Sequence, residues 1–294
     1  MPPDIRTMLC PPNILVADGA LGTYLQAQGL PGATPPELWN EEQPEMVRSM
    51  HRAYLEAGAQ ILTTNTFGGN RLRLPAEIEG HRLADLVRRG VELAREAAGD
   101  SAWVAASMGP TGRLLEPFGD LSCDQAESAY AEQAALMADA GADLILIETM
   151  SDVLEARAAL LGARRATRLP VFVTFAFDEA GRTMMGATAG EAAREVQALG
   201  ADAVGANCGT APAAVTVALQ QMRRASSLPL IGQPNAGLPH LEATGEPVWD
   251  STPDEFAEQA RILVELGVRV LGACCGSTPA HILAIKAAVA AARA

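Results

Sequence analysis

CDQAESAYAEQAALMADAGADLILIE, residues 123–148, decides the fold. Its first twenty residues carry the spacing of an amphipathic helix and close on Ala140-Gly141-Ala142, where glycine can end a helix in a left-handed turn. DLILIE (143–148) follows at once. It is apolar without alternation, as a parallel strand is when both of its faces are covered. The same unit recurs in both directions. Strand-like runs read ILVAD (14–18), QILTT (60–64), AWVAAS (102–107), PVFVTFAF (170–177), DAVGAN (202–207), PLIGQ (229–233) and RVLGAC (269–274). Helical stretches such as PEMVRSMHRAYLEAGA (44–59) and TPDEFAEQARILVELGV (252–268) lie between them. Eight strand–helix units predict an α/β fold, a single (β/α)8 TIM barrel. A doubly wound open sheet is the alternative, but the turn after the first run, DGALGT (18–23), lacks the GxGxxG phosphate fingerprint. No linker or low-complexity tract divides the chain, so residues 1–294 are read as one domain. The longer insertions (19–43, 65–80, 108–122 and 234–250) all follow strands, on the face where a barrel builds its site.

Composition narrows the chemistry. Twenty-two basic against 35 acidic residues give a formal net charge of −13, which speaks against nucleic acid or an anionic membrane as the main partner. The only lysine is Lys286, which argues against Schiff-base and pyridoxal mechanisms. No apolar run approaches the ~20 residues of a membrane span, and MPPDIRTMLCPPN lacks the pattern of a secretory signal. Five cysteines in a chain this long do not read as a secreted disulfide framework. The expectation is a cytoplasmic protein with reduced or metal-bound cysteines.

Residue types at the strand ends carry the functional reading. Asp18 ends the first strand, Thr64 and Asn65 the second, Glu148 the fourth, Asn207 and Cys208 the sixth, and Cys274 and Cys275 the eighth. Strands six and eight are second neighbours in a closed barrel, so their three thiols can converge above its axis. That set suits a tetrahedral Zn²⁺ with one open position, provided that a bend at Gly276 turns both adjacent cysteines to one side. The alternative is that Cys208 and Cys274 are small buried hydrophobes. Asp18 and Glu148 are either rim carboxylates, solvated or paired with arginine, or a pair that faces a cationic group on a ligand. Gly19, Gly22 and Thr23 offer free backbone N–H groups to an anion, and acids beside such groups match an amino-acid zwitterion. Of the four histidines, His51 and His81 are expected on helix surfaces and His281 at a helix start. His240, in the loop after strand seven, is kept as a candidate without an assigned role.

The segments DGALGT (18–23), TTNTF (63–67), LIET (146–149), GANC (205–208) and GACCG (272–276) together resemble the homocysteine S-methyltransferases. That family includes the homocysteine module of cobalamin-dependent methionine synthase and the betaine- and S-methylmethionine-dependent enzymes. PNAGLP (234–239) looks most like the synthase branch. The resemblance implies that Cys208, Cys274 and Cys275 ligate zinc and carry catalysis. It implies that Asp18 and Glu148 hold the homocysteine ammonium, that Gly19 and Thr64 bind its carboxylate, and that Asn207 supports the first ligand. Thr149 stands where betaine-dependent members carry tyrosine, and a quaternary ammonium calls for an aromatic cage that 4% aromatic residues scarcely supply.

The leading expectation is therefore a zinc-dependent enzyme that methylates homocysteine to methionine. The alternatives are the homocysteine-activating subunit of a split methionine synthase, or a zinc hydrolase on the same barrel. Nineteen residues follow Cys275, so the methyl group is expected on a diffusible donor or a separate protein. S-methylmethionine or S-adenosylmethionine is favoured, with a methyl-corrinoid protein second. The oligomeric state is open, a homo-oligomer included.

Overall fold

The computed structural model describes residues 3–78, 80–210, 212–241 and 247–292. Residue 79 of the expected 65–80 loop and residues 242–246 of the 234–250 loop lie outside them. The barrel strands are β1 (Leu15–Val16), β2 (Ile61–Thr63), β3 (Trp103–Met108), β4 (Leu144–Met150), β5 (Val171–Phe175), β6 (Ala203–Cys208), β7 (Leu230–Pro234) and β10 (Val270–Leu271). All neighbours pair in parallel, in the order β1-β10-β7-β6-β5-β4-β3-β2. A parallel bridge from Ala17 to Ile61, with Asp18 N–H on Ile61 O at 3.0 Å, brings β1 back to β2 and closes the circle. The expected (β/α)8 barrel is what the chain forms.

Three short helices precede the helical ring: α1 (Ile5–Met8), α2 (Gly22–Ala27) and α3 (Trp39–Glu42). The ring itself is α4 (Pro44–Ala57), α5 (His81–Ala98), α6 (Cys123–Asp139), α7 (Val153–Ala166), α8 (Ala189–Ala198), α9 (Pro212–Ala225), α10 (Pro253–Glu265) and α11 (Pro279–Ala291). Two cores result, one on each face of the strands. Leu144 and Leu146 fill the barrel interior with Leu15, Trp103, Phe172 and Ile231, and Ile5 and Leu9 plug its floor. Ile145 and Ile147 point the other way, into the layer under the helices. Both faces of each strand are buried, which is why the runs read as continuously apolar. His51 corrects a surface expectation. It is fully buried on α4 and neither ring nitrogen has a partner among the described residues. Its place one turn from Val47 and Tyr54, both buried, puts it on the inner stripe.

The floor repeats every two strands. α4, α6, α8 and α10 each end at a left-handed glycine, Gly58, Gly141, Gly200 and Gly267, with φ of +101°, +93°, +83° and +86°. The residue after each glycine donates its N–H back into the helix, to Tyr54, Met137, Val196 and Leu263 carbonyls, which is the Schellman turn. Two residues on, Gln60, Asp143, Asp202 and Arg269 donate their N–H to the neighbouring strand at Val16, Val104, Val171 and Leu230. The Gln60, Asp143 and Asp202 side chains also accept the N–H of Val16, Val104 and Val171.

The mouth, by contrast, is irregular. A short antiparallel hairpin, β8 (His240–Leu241) with β9 (Pro247–Val248), sits in the loop after β7 and was not expected from the sequence. His281 lies in the first turn of α11, at a helix start as expected, and in addition caps it by accepting the Thr278 N–H on Nδ1 at 3.0 Å.

Candidate active site

The ends of β6 and β10 bring the cysteines together. Cys208 Sγ lies 2.8 Å from Cys274 Sγ and 3.7 Å from Cys275 Sγ, and all three sulfurs fall within 4.8 Å of one another. Two backbone features make this possible. Cys208 is left-handed (φ +55°), which turns its side chain off the regular alternation of β6, and Gly276 (φ +79°) provides the bend after the adjacent pair. A methyl group on Gly276 would run into the Trp249 indole, 2.1 Å away, so the turn needs glycine for space as well as for φ. The turn is stitched to the first βα loop: Thr23 Oγ1 accepts the Gly276 N–H at 3.0 Å, and Ser277 Oγ accepts the Ala20 N–H at 3.0 Å.

The three thiols perturb one another. Hydrogen bonds from Cys208 and Cys274 push the Cys275 thiol down to about 3, while its bonds to Cys208 and Cys275, together with burial, push Cys274 well up. Cys275 is therefore the member of the cluster whose thiolate its neighbours favour. The donor set fits a soft divalent ion: it is sulfur-only and half-buried, its 3.7 Å edge is close to the ~3.8 Å expected between sulfurs at ~2.3 Å from zinc, and its 2.8 Å edge would widen toward that spacing on binding. Gln233 at the end of β7 and Asn235 just after it each keep a buried side-chain carbonyl without a hydrogen-bond partner among the described residues. Such orphaned acceptors beside the cluster suit a cation or its ligands.

Glu148 reaches the same space through an irregularity of β4. Ile147 pairs with Val173 but Met150 pairs with Phe175, so one extra residue is inserted at Glu148–Thr149. The bulge resets the alternation. Glu148 and Thr149 both line the cleft, while Met150 returns to the layer under the helices. Thr149 is left-handed (φ +61°) and is held by Asn207, whose Oδ1 accepts the Thr149 N–H at 3.0 Å and whose Nδ2 donates to Thr149 Oγ1 at 2.7 Å. Asn207 Nδ2 also points at Cys274 Sγ, at 3.7 Å, and Thr174 Oγ1 donates to its Oδ1. One buried amide thus joins β4, β5, β6 and the cluster. Burial pushes the Glu148 carboxyl up to about 7, against a short hydrogen bond from Ser107 that lowers it.

Asp18 is placed differently. It is 1% exposed, and both of its oxygens are occupied by Thr63, Oδ2 accepting the N–H at 2.7 Å and Oδ1 the hydroxyl at 2.7 Å. Burial raises it to about 8, and Glu148 is near enough to add to the rise. Glu148, Gly19, Thr64, Cys208, Cys274 and Cys275 border one cleft of about 490 Å³; Asp18 and Asn207 lie behind that wall. Thr64 Oγ1 is turned to Thr66 Oγ1 (2.6 Å) and accepts the Ser107 N–H. His240 is exposed beside Asp250 and does not border the cleft. Ser107 and Gln233 were missed by sequence reasoning, although both stand at or near a strand end, the rule that selected the others.

The homocysteine S-methyltransferase family profile matches residues 15–289. The chain is 40% identical to methionine synthase of Mycobacterium tuberculosis (strain ATCC 25618 / H37Rv), across 95% of this chain and 25% of that protein. It is 38% identical to methionine synthase of Mycobacterium leprae (strain TN), across 95% and 24%. It thus spans about a quarter of the length of the curated relatives it matches. The metallated form of the homocysteine methyltransferase MmuM from Escherichia coli superposes with a TM-score of 0.80 at 27% identity, over 97% of this chain and 99% of that one. Its apo form gives 0.78 at 26%, over 97% and 100%. By profile, identity and fold together, this chain belongs to the homocysteine S-methyltransferase family.

Proposed function

We propose that the chain, residues 1–294 acting as one homocysteine-binding barrel, methylates the thiol of homocysteine to give methionine, with zinc held by Cys208, Cys274 and Cys275. The observation that carries this reading is the three-thiol cluster opening into the cleft bordered by Glu148. When bound, zinc keeps a coordinated thiol deprotonated at neutral pH. The three cysteine thiolates leave that sulfur electron-rich because they donate more charge than the ion carries. Glu148, with Asp18 behind it, takes the substrate ammonium; burial favours the neutral form of both carboxyls, and the arriving cation favours the carboxylate of Glu148. Gly19 and Thr64 border the space for the substrate carboxylate. Held at both ends, the homocysteine sulfur uses one lone pair to form the new S–CH3 bond. The donor's bond to that methyl breaks with its electron pair staying on the leaving atom, and the thiol proton goes to solvent.

A sulfonium donor is the first reading for the methyl source. The cleft wall is rich in carboxylate and thiolate, which suits a cation, and the leaving group is then a neutral thioether. Phe67 is the one aromatic residue among the described lining, and Arg73 covers its face at 5.0 Å, so a quaternary-ammonium cage is not formed there. The 40% identity to methionine synthases favours a second reading, in which a methyl-corrinoid protein delivers the methyl group. A hydrolase gains no support: the cluster contains no histidine, and three thiolates make bound water a poor acid. No helix among the described residues is long and apolar enough to cross a membrane. We place the protein in the cytoplasm, where its cysteines stay reduced.

Metal content and homocysteine methylation, measured for wild type and for Cys208→Ser, Cys274→Ser and Cys275→Ser, test this function. About one zinc per wild-type chain is expected, with strong loss of metal and activity in each variant, while Cys10→Ser and Cys123→Ser change neither. Full metal occupancy in Cys208→Ser would end the reading.

A further inference from the structure

The cleft is larger than homocysteine fills, and its outer half is built from residues that the reaction above does not use. Past Gly19 and Thr64 it runs between the segment 32–37 and the loop after β2, where Glu37, Phe67, Gly68, Arg73 and Leu74 border it. Arg73 is the one basic residue on the wall among the described residues. Its guanidinium is held in place, with Nη1 donating to Pro110 O at 2.7 Å and Cζ 5.0 Å over the Phe67 ring. No carboxylate lies within 4 Å of it among the described residues. Glu37 is 3% exposed and likewise makes no ion pair there; its Oε1 accepts the Gly68 N–H at 2.5 Å. A methyl group built on Gly68 would sit 3.1 Å from Glu37 Oε1 and 3.2 Å from Arg73 Nε. Glu37 and Arg73 therefore both close on Gly68 and border the same part of the cleft.

A buried carboxylate and a fixed guanidinium, unpaired with each other and flanking an open space, match the two ends of an α-amino acid. We propose that Glu37 and Arg73 form a second amino-acid subsite, which holds the α-ammonium and α-carboxylate of the methyl donor. This rests on the sulfonium reading above and narrows it: the donor is a sulfonium amino acid, S-methylmethionine or S-adenosylmethionine, rather than a simple alkylsulfonium. The cleft would then carry two amino acids. Homocysteine lies with its sulfur at the cysteine cluster, and the donor lies with its amino-acid end at the mouth and its methyl directed inward. Arg73 takes the carboxylate bidentately, as guanidinium geometry favours, and Glu37 takes the ammonium on the oxygen that Gly68 leaves free.

The test uses metal-loaded full-length protein and three donors: S-methylmethionine, dimethylsulfoniopropionate, which lacks the amine, and trimethylsulfonium, which lacks both groups. Arg73→Gln is expected to raise the KM for S-methylmethionine about tenfold or more, the scale of one charge-assisted bond, and that for dimethylsulfoniopropionate similarly. The KM values for homocysteine and trimethylsulfonium stay within twofold, and Arg73→Lys recovers part of the loss. Calorimetric titration of S-methylmethionine into protein saturated with 2-aminobutyrate, an amino acid without a thiol, reads the subsite without turnover. Arg73-dependent binding there with no transfer from any sulfonium would discard the donor reading and keep the subsite. Equal KM values in wild type and Arg73→Gln would overturn the subsite and leave the methyltransferase standing. Absence of S-methylmethionine binding to wild type, or a rise in the homocysteine KM instead, would also overturn it.

Discussion

Among the described residues, Thr149 and Cys208 are the two other than glycine that hold a left-handed backbone, and both border the cleft. For a β-branched residue such as threonine this is a rare conformation, with a cost on the order of 1–3 kcal/mol. The Asn207 amide makes it tenable by satisfying both polar groups of Thr149 while it reaches Cys274. Asn207→Asp keeps the acceptor and the shape but loses the donor, so it should weaken metal binding by about 10–100-fold in competition with a chromophoric chelator. An unchanged affinity would mean that the amide supports only β4. The acids behind the wall make a separate, pH-dependent expectation. Asp18 is raised from 3.8 to about 8 and Glu148 from 4.5 to about 7. Between the ordinary and the raised values, the folded chain keeps protons that the unfolded chain has released. Stability from these groups is therefore complete below about pH 4 and is lost as pH rises through 7 to 8. Thermal melts of metal-free protein from pH 5 to 8.5 should show wild type falling more steeply than Asp18→Asn, and parallel slopes would remove Asp18 as a source.

At the scale of elements, what the sequence made legible followed from burial. Eight runs apolar on both faces gave eight strands, and the Ala-Gly-Ala and Leu-Gly-Val tripeptides gave helix ends. The strand limits were less legible: ILVAD and RVLGAC pair only over Leu15–Val16 and Val270–Leu271. The bulge at Glu148–Thr149 left a faint trace in LILIETM, since Met150 is apolar at a position where unbroken alternation would aim it into the polar mouth. The strand-end rule collected the three cysteines and Glu148 correctly into one cleft. It could not show that Thr63 occupies Asp18, because which side chain claims a carboxylate depends on register between β1 and β2, not on residue type. Glu37 and Arg73 were invisible for a like reason: one stands in a single 3-10 turn (Pro36–Leu38) and the other in the loop after β2, and only the closed barrel brings them to one cleft. The helix ends can be tested directly. Gly141→Ala puts a β-carbon on a residue at φ +93° and should cost about 1 kcal/mol or more, lowering Tm by roughly 2–4 °C. An unchanged Tm would show that the turn relaxes freely.

For the whole molecule, the cysteine cluster is a tie between the end of β6 and the turn after β10, far apart in the chain and both anchored in the barrel. A metal bound there stabilises the folded state alone, by roughly 4 kcal/mol at a thousandfold excess over its Kd. Chelation should therefore lower Tm by on the order of 10 °C, reversed by zinc, and Cys208→Ser should melt like the chelated protein whether or not zinc is added. A wild-type Tm indifferent to chelation would remove the tie. The repeated floor answers to a different pressure. Gly58, Gly141, Gly200 and Gly267 close four equivalent turns, so damage to one leaves three intact. At the mouth, among the described residues, each of these devices occurs once: one bulge in β4, one bridging amide, one cysteine cluster. Under random mutagenesis with selection for activity, substitutions would accumulate around the floor, each a local cost spread over one turn of four, while the mouth stayed fixed. Redundancy at one end of the barrel is what gives the chain room to drift, and its lack at the other is what keeps the chemistry in place.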